Sequence, residues 1–406
     1  MQQFNQIKFQ DPATNTYLGD PSIVRLESGE LLASFHYFGP SSPRSLEEQD
    51  NLTSLYRSRD EGKTWMNVTH INQCFAATLF KHRGAVYLLG TDRRFGSICI
   101  RRSDDGGNTW TRLADEKSGP PFEWGPAEQE LKTPAQHIWS GLLFKGGPVE
   151  ETPNYHSSDM PVLESGGRLY RAIEDCSPKD WPGIHAGSSI RRYQALVISA
   201  PVDADLLDAA NWRMSNKIPY DPAWSNSWDS PPVKPGWLEG SVVETPDGEL
   251  WNIIRVNSAP LVDKAAIIKI SDEGRHISFD PATGFIDFPG GMTKFVIRRD
   301  PETRLYCTLS NNNTDPRNPW QRNVLSLCAS KDLIHWEHKK TLIEDDSPLS
   351  WEESMRLVAF QYADWQFDGD DIIYVLRTAY DGAANYHDSN RITFHKLSDF
   401  RGYLNP

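Results

Sequence analysis

An eight-residue pattern, S-x-D-x-G-x-T-W, occurs twice in this sequence and limits its fold more than any other feature. The copies are residues 58–65 (SRDEGKTW) and 103–110 (SDDGGNTW), with weaker versions at 271–274 and 330–336. An Asp that accepts backbone N–H groups, a Gly at positive φ and a Thr-Trp pair that begins a strand are typical of a turn between β-strands. The pattern predicts repeated hairpins whose turn residues, Asp60 and Asp105, lie away from any functional site.

A longer repeat surrounds these turns. Each unit is a short apolar strand, a turn with Gly or Asp, and a second apolar strand that ends in polar residues. Six units occur, at 21–37, 75–92, 160–175, 241–257, 293–311 and 363–380. Repeats of this kind predict an all-β, six-bladed β-propeller with four antiparallel strands in each blade. We expect one domain over residues 1–406, with loop insertions near 113–155 and 213–236, and pairing of residues 6–10 with the last blade to close the ring.

Composition narrows the range of partners and cofactors. The net charge of −13 over 406 residues disfavours nucleic acid. The five cysteines include no C-x-x-C pair, and no His/Asp/Glu cluster has metal-ligand spacing, so we expect neither a metal nor another cofactor. The opening residues, MQQFNQIKFQ, contain no apolar core of a signal peptide, and no stretch approaches about 20 apolar residues. The sequence therefore predicts no membrane partner. It does not distinguish between a cytoplasmic, a periplasmic and a secreted protein.

The repeat also predicts where a site would lie. The first residues of each innermost strand and the last residues of its hairpin partner meet around the propeller axis, on one face. These positions are rich in ionisable side chains, which acid–base chemistry requires. The candidates at these positions are Asp20, His156, Asp159, Glu239, Arg255, Gln361, Tyr362 and Arg377.

Two of these segments resemble the sialidase-like (Asp-box) β-propeller enzymes. Residues 238–255 (LEGSVVETPDGELWNIIR) resemble the family segment N-E-S-x-V-V-E-L-x-D-G-x-L-x-x-N-x-R. Residues 360–369 (FQYADWQFDG) resemble the family strand that carries the tyrosine nucleophile. The resemblance implies that Tyr362 is the nucleophile, Glu239 its carboxylate partner and Arg255 an arginine that binds the substrate carboxylate. A carboxylate beside a phenol can take its proton, which makes a weak nucleophile usable.

The sequence also departs from that family. Sialidases carry Arg-Ile-Pro in the first blade, where this chain has Asp20-Pro21-Ser22. An acidic residue there suggests hydrogen bonds to sugar hydroxyls and makes sialic acid a doubtful substrate. Both Asp92 and Asp159 are candidates for the acid/base aspartate, and His156 is additional to the family pattern.

Three functions remain open on this evidence. The first is an exo-acting glycoside hydrolase that removes a terminal sugar, acidic sugars included, through Glu239 and Tyr362 with His156 assisting. The second is a uronate-specific polysaccharide lyase, in which His137, His156 and Arg255 would serve β-elimination. The third is a non-catalytic sugar-binding propeller. In each case the expected partner is a glycan or oligosaccharide, with Asp20, Asp159, Arg255, Gln361, Arg377 and His137 as binding residues.

Overall fold

The computed structural model describes residues 4–44, 49–113, 141–147, 153–176 and 193–404. These residues form six antiparallel sheets arranged as the blades of a β-propeller. The expected six-bladed fold is confirmed, and each of the six hairpins read from the sequence is the inner hairpin of one blade. The first strand, β1 (Asn5–Phe9), pairs with the last strand of the chain, as predicted.

The strands follow one another blade by blade. Blade 1 contains β2 (Tyr17–Arg25), β3 (Leu31–Phe38), β4 (Leu52–Ser58) and β5 (Met66–Asn72). Blade 2 contains β6 (Phe75–His82), β7 (Ala85–Thr91), β8 (Ile98–Ser103) and β9 (Leu142–Phe144). Blade 3 contains β10 (Tyr155–His156), β11 (Leu163–Ser165), β12 (Arg168–Cys176), β13 (Tyr193–Pro201), β14 (Arg213–Met214) and β15 (Ile218–Pro219).

The second half of the ring is built in the same way. Blade 4 contains β16 (Trp237–Glu244), β17 (Leu250–Val256), β18 (Lys264–Ser271), β19 (His276–Ser278) and β20 (Phe285–Asp287). Blade 5 contains β21 (Val296–Arg299), β22 (Tyr306–Ser310), β23 (Val324–Ser330) and β24 (Trp336–Glu344). Blade 6 contains β25 (Ala359–Asp368), β26 (Asp371–Ala379), β27 (Arg391–Leu397) and β1. The helices are α1 (Trp351–Leu357), α2 (Arg401–Leu404) and short 3₁₀ turns at Pro12–Thr14, Ala209–Asn211, Pro222–Ser225 and Asp272–Gly274.

Apolar side chains between neighbouring blades hold the ring together. A hydrophobic cluster fills each of the six interfaces, including the interface between blades 6 and 1. That closing cluster joins Leu18 and Phe35 of blade 1 to Val375 and Phe394 of blade 6. Because both faces of every sheet are covered in this way, most strand residues are buried and the alternation of polar and apolar residues is weak.

The repeated turn has the same geometry in both copies. The Asp60 carboxylate accepts hydrogen bonds from the backbone N–H and the hydroxyl of Thr64, at 2.9 and 2.6 Å. Asp105 accepts the corresponding bonds from Thr109, at 2.9 and 2.7 Å. In each turn the indole N–H of the following Trp donates to a Gly carbonyl at 3.0 Å. The aspartates therefore have a structural use, between the outer strands of a blade.

Four of the innermost strands contain a bulge at the end that faces the site. At each bulge the strand register shifts, and one residue takes a left-handed backbone conformation. These residues are Asp20, Ala76, Glu239 and Tyr362, with φ of 34°, 46°, 61° and 53°. Such a conformation costs about 1–3 kcal/mol for a residue other than glycine. Three of the four are candidate site residues from the sequence, so the strain coincides with the candidate site.

The region near 213–236 is only partly a loop insertion. Its first residues form β14, which pairs with β13 through Ile198 and Ser199, and β15 continues this outer edge. Trp224, in the following 3₁₀ turn, packs against Trp237 with ring centroids 5.4 Å apart. The segment was expected to be a loop because it is rich in Pro and Trp, but its short strands complete blade 3. Most of the other expected insertion, 113–155, lies outside the described residues. In the part of the chain that the structure describes, no helix is both long enough and apolar enough to cross a membrane.

Candidate active site

A chain of three hydrogen-bonded side chains lies at the centre of the ring. The Tyr362 hydroxyl donates to Glu239 Oε1 at 3.0 Å, and Arg255 Nη1 donates to Glu239 Oε2 at 2.6 Å. The contact between Tyr362 and Glu239 was expected from the sequence and is confirmed. The bulges in β16 and β25 bring Glu239 and Tyr362 together, while Arg255 comes from the end of β17.

The surroundings of these side chains shift the pKa values of Tyr362 and Glu239 in opposite directions. Burial raises the pKa of Tyr362 to about 12, and the negative charge of Glu239 adds to the rise. Burial alone would also raise the pKa of Glu239, but the Arg255 guanidinium, with His156 and the hydrogen bonds, holds it below its ordinary value. Glu239 is therefore ionised at neutral pH, and its carboxylate can accept the phenol proton of Tyr362.

A second carboxylate supports both Glu239 and His156. Glu174, at the end of β12, accepts the Glu239 backbone N–H at 2.6 Å with Oε1, and its Oε2 lies 3.1 Å from His156 Nδ1. The His156 ring stacks on Tyr193 with centroids 4.8 Å apart. A carboxylate on Nδ1 orients an imidazole and leaves Nε2 to act on a ligand. Glu174 thus connects two of the candidate residues, Glu239 and His156.

Asp20 occupies the pocket in a different way from the other carboxylates. It is 7% exposed, and its closest cation is Arg377, with Nη1 3.7 Å from Oδ1. Burial raises the pKa of Asp20, and the nearby Glu239 charge adds to the rise, while Arg377, Lys294 and His156 oppose it. Arg377 itself is held by the His387 carbonyl at 2.5 Å, and its guanidinium lies 4.9 Å from the Tyr362 ring.

Arg322 is a site residue that the sequence analysis missed. It precedes β23, outside the inner hairpins, so the strand-end rule did not select it. Its guanidinium lies 5.8 Å from the centre of the Tyr362 ring and 5.4 Å from that of Tyr386, and Nη1 donates to Gln361 Oε1. Burial lowers the pKa of Arg322 to about 10. The only signal in the sequence is an arginine beside two polar residues at the start of a buried strand, which is too common to single out.

Two of the expected binding residues are fully buried. Asp159 lies 2.5 Å from Lys294 Nζ and accepts a hydrogen bond from the Ser158 hydroxyl at 3.0 Å. Burial raises the pKa of Asp159 to about 7, although Lys294 opposes the rise. Gln361 donates to the Tyr386 carbonyl at 2.6 Å and holds Arg322 with its oxygen. Both side chains have 0% exposure and present no surface to a ligand, so in this structure they position their neighbours.

The remaining expectations concern groups outside this cluster. His137 lies outside the described residues. Asp92 accepts the Ser97 backbone N–H at 2.8 Å, next to Arg93 at 3.4 Å. The described ranges contain no group of three or more His, Cys, Asp or Glu side chains able to hold a metal ion. The arrangement thus offers a phenol with a carboxylate acceptor, an oriented imidazole, and several arginines for an anion.

Comparison with known proteins identifies the fold. The sequence matches no protein-family model and no curated protein sequence. Among solved structures, the chain resembles an α-L-arabinanase from Penicillium chrysogenum, complexed with arabinobiose, with 14% identity and a TM-score of 0.53 over 97% of each chain. It resembles a Trypanosoma rangeli sialidase in complex with sialic acid, with 14% identity and a TM-score of 0.54 over 96% of this chain and 55% of that one.

A third similar structure is the intramolecular trans-sialidase from Ruminococcus gnavus, with 13% identity and a TM-score of 0.51 over 98% of each chain. At this identity the likeness concerns the fold. Together with the six sheets described above, it confirms the resemblance to sialidase-like propellers at that level. The chain therefore has the six-bladed β-propeller fold that sialidases and an α-L-arabinanase also adopt.

Proposed function

We propose that this protein is an exo-acting glycoside hydrolase of the sialidase-like type that removes a terminal acidic sugar from a glycan. The observation that carries the proposal is the Tyr362–Glu239 hydrogen bond of 3.0 Å, with both groups held on strained bulges. A structural tyrosine could find a hydroxyl partner without left-handed backbone at both positions. The strain is typical of a functional site.

The geometry supports a two-step reaction with a covalent intermediate. In the first step Tyr362 Oη attacks the anomeric carbon and passes its proton to Glu239. The bond from that carbon to the leaving oxygen breaks, and the leaving oxygen takes a proton. In the second step water attacks the same carbon, releases the sugar and restores the phenol with the proton on Glu239. Glu174 keeps His156 directed by its hydrogen bond, so that His156 can contact sugar hydroxyls during both steps.

The charge pairing around Tyr362 supports an acidic sugar. The carboxylates of the central cluster each have a cationic or imidazole neighbour, in the pairs Glu239–Arg255, Asp20–Arg377, Asp159–Lys294 and Glu174–His156. Arg322 is left without a carboxylate among the described residues, although it is 3% exposed. A buried cation without a counterion is unfavourable. A carboxylate on the substrate would supply that counterion, so Arg322 is the expected anchor for the acidic group.

The residues further along the inner strands support exo action. Asp159, Lys294, Arg171 and Asp364 are all buried, and they fill the ring with polar side chains. Asp364, two residues after Tyr362, accepts a hydrogen bond from the Ser22 hydroxyl at 2.7 Å, which ties blade 6 to blade 1. A site closed on its inner side accepts the end of a glycan chain more readily than its middle.

A screen of defined glycosides tests the proposal. The probes are 4-nitrophenyl or 4-methylumbelliferyl glycosides of N-acetylneuraminic acid, glucuronic acid, galacturonic acid and arabinofuranose, because sialic acid and arabinobiose are bound by similar propellers. We expect release of the aryl group from an acidic sugar by the wild type, and no release by Tyr362→Phe or Glu239→Gln. Polyuronates assayed in parallel at ultraviolet wavelengths report the conjugated double bond of a lyase product.

Each outcome has a distinct meaning. An ultraviolet-absorbing product would show that the reaction is β-elimination and not hydrolysis. Sugar binding without turnover of any probe, unchanged in Glu239→Gln, would indicate a lectin. Turnover that survives Tyr362→Phe would remove the tyrosine nucleophile from the proposal.

A further inference from the structure

We propose that Asp20 is the catalytic acid of this site, the group that protonates the leaving oxygen when the glycosidic bond breaks. This inference rests on the proposed function, and it gives Asp20 a role beyond hydrogen bonding to sugar hydroxyls. The first argument is geometric. The left-handed conformation at Asp20, with φ of 34°, removes its side chain from the regular alternation of β2. This backbone conformation is unfavourable for aspartate, so we infer that it serves to position the Asp20 carboxyl group.

The second argument is the lack of hydrogen bonds to the Asp20 carboxyl group. No described residue donates one to it, although the side chain is more than nine-tenths buried. Its contact with Arg377 is an ion-pair distance of 3.7 Å, and Arg377 uses Nη2 on the His387 carbonyl. Most buried polar side-chain atoms in native proteins have at least one hydrogen-bond partner. The oxygens of Asp20 are therefore left for a ligand, which a purely structural aspartate would not require.

The third argument excludes the other carboxyl groups. Asp159 is fully buried between Lys294 and Ser158, and it cannot reach a ligand in this structure. Both oxygens of Glu174 are engaged, one by the Glu239 amide and one by His156. Asp92 is tied to the amide of Ser97. Asp20 is the pocket carboxyl that combines burial with unoccupied oxygens among the residues that the structure describes.

The surroundings favour opposite protonation states for Asp20 and Glu239. The charged and titratable groups that act on Asp20 are Arg377, Glu239, Lys294 and His156. Burial and the Glu239 charge raise its pKa, whereas the pKa of Glu239 is held down by Arg255. Two carboxyl groups whose environments move their pKa values apart are the usual basis for dividing acid and base roles. Glu239 is then the ionised base, and Asp20 remains protonated to a higher pH.

The proton balance is complete in both steps. When Tyr362 attacks, the electron pair of the breaking C–O bond goes to the leaving oxygen, which takes the Asp20 proton. The phenol proton goes to Glu239 at the same time. When water enters, Asp20 as a carboxylate takes one proton from it, and Glu239 returns its proton to the phenolate. No further reactant is needed.

Leaving-group dependence tests the assignment. The probes are the 4-nitrophenyl glycoside that the wild type cleaves and the methyl glycoside of the same sugar, because a nitrophenolate leaves without protonation and methoxide does not. We expect Asp20→Asn to lower kcat/KM for the methyl glycoside at least about 100-fold, and for the nitrophenyl glycoside less than about 10-fold. Sodium azide should accelerate the variant on the nitrophenyl glycoside and give a glycosyl azide. His156→Gln, the matched control, should lose activity equally on both.

An infrared difference titration of the wild type against Asp20→Asn provides a readout that needs no turnover. The protonated carboxyl band of Asp20 should persist above the ordinary Asp pKa of about 3.9. The assignment would be overturned if Asp20→Asn lost activity equally on both glycosides, or if His156→Gln showed the leaving-group dependence in place of Asp20→Asn. Ionisation of Asp20 at or below that pH would overturn it as well. A wild type that cleaves no glycoside would count against the proposed function, and the infrared result would still decide the protonation of Asp20.

Discussion

Replacing Arg322 by Met should have little effect on stability, although the side chain is buried and charged. Burial lowers the pKa of Arg322 to about 10, against about 12.5 for a free guanidinium. At about 1.4 kcal/mol for each pH unit, the difference disfavours folding by about 3 kcal/mol at neutral pH. Met removes that penalty and keeps an unbranched side chain of similar length.

The contacts that Met loses nearly offset this gain. Gln361 loses its hydrogen bond to a cation and keeps a buried acceptor, which costs about 1–3 kcal/mol. The contacts with Tyr362 and Tyr386 contribute about 0.5–2 kcal/mol. The free energy of unfolding of Arg322→Met should therefore stay within about 2 kcal/mol of the wild type, since gains and losses of this size nearly cancel.

Arg255→Met is the matched control. It leaves Glu239 buried without its 2.6 Å partner, and breaking a buried ion pair costs about 3–5 kcal/mol. Urea unfolding of both variants measures the difference. For the acidic glycoside, Arg322→Met should lower kcat/KM about 10- to 100-fold, the equivalent of one charge-assisted hydrogen bond, and it should leave neutral glycosides unaffected. Equal destabilisation of the two variants, or an unchanged kcat/KM for the acidic glycoside, would refute the assignment of Arg322 as an unpaired anion anchor.

Three further predictions concern the other groups of the site. Tyr362→Phe should lower kcat at least about 1,000-fold. A 2-fluoroglycosyl fluoride should add the mass of its sugar to the wild-type peptide that contains Tyr362, and label on another peptide would contradict this. Asp159→Asn should cost about 3–5 kcal/mol in urea unfolding because Lys294 is left unpaired, and adding Lys294→Met should recover most of it; a double variant no more stable than the single one would show otherwise. The rate should rise with pH as Glu239 ionises, at a pH below the ordinary pKa of a Glu side chain. It should fall as Asp20 ionises, at a pH above the ordinary pKa of an Asp side chain, and this fall should be absent from Asp20→Asn.

The propeller could be read from the sequence because its signals are local. The turn that contains Asp60 is encoded within eight residues, and each inner hairpin within about 20. The pair Glu239–Tyr362 was also predictable, because the two segments resemble a known family and propeller geometry brings their strand ends together. In these cases local patterns and the closed ring agree, so little information from the tertiary structure was needed.

The other features depend on tertiary contacts that local patterns do not encode. Gln361 lies at the expected end of β25 and Asp159 precedes β11, yet each side chain contacts a buried cation and is itself fully buried. Arg322 enters the site from the segment before β23, which the strand-end rule does not cover. The link from Glu174 to the Glu239 amide depends on the bulge in β16. The left-handed residue of this bulge is Glu239 and not a glycine, so the sequence gives no clear signal of it.

The pairing of β1 with β27 places the proposed nucleophile, Tyr362, in a blade that is complete only when residues 5–9 meet residues 391–397. This blade therefore joins β1 and β27, the first and the last of the strands that the structure describes. Joining segments so distant along the chain is slow and entropically unfavourable. A chain in which β1 and β27 do not pair would keep its other blades without the closed ring around Tyr362, so the proposed hydrolytic activity would report ring closure.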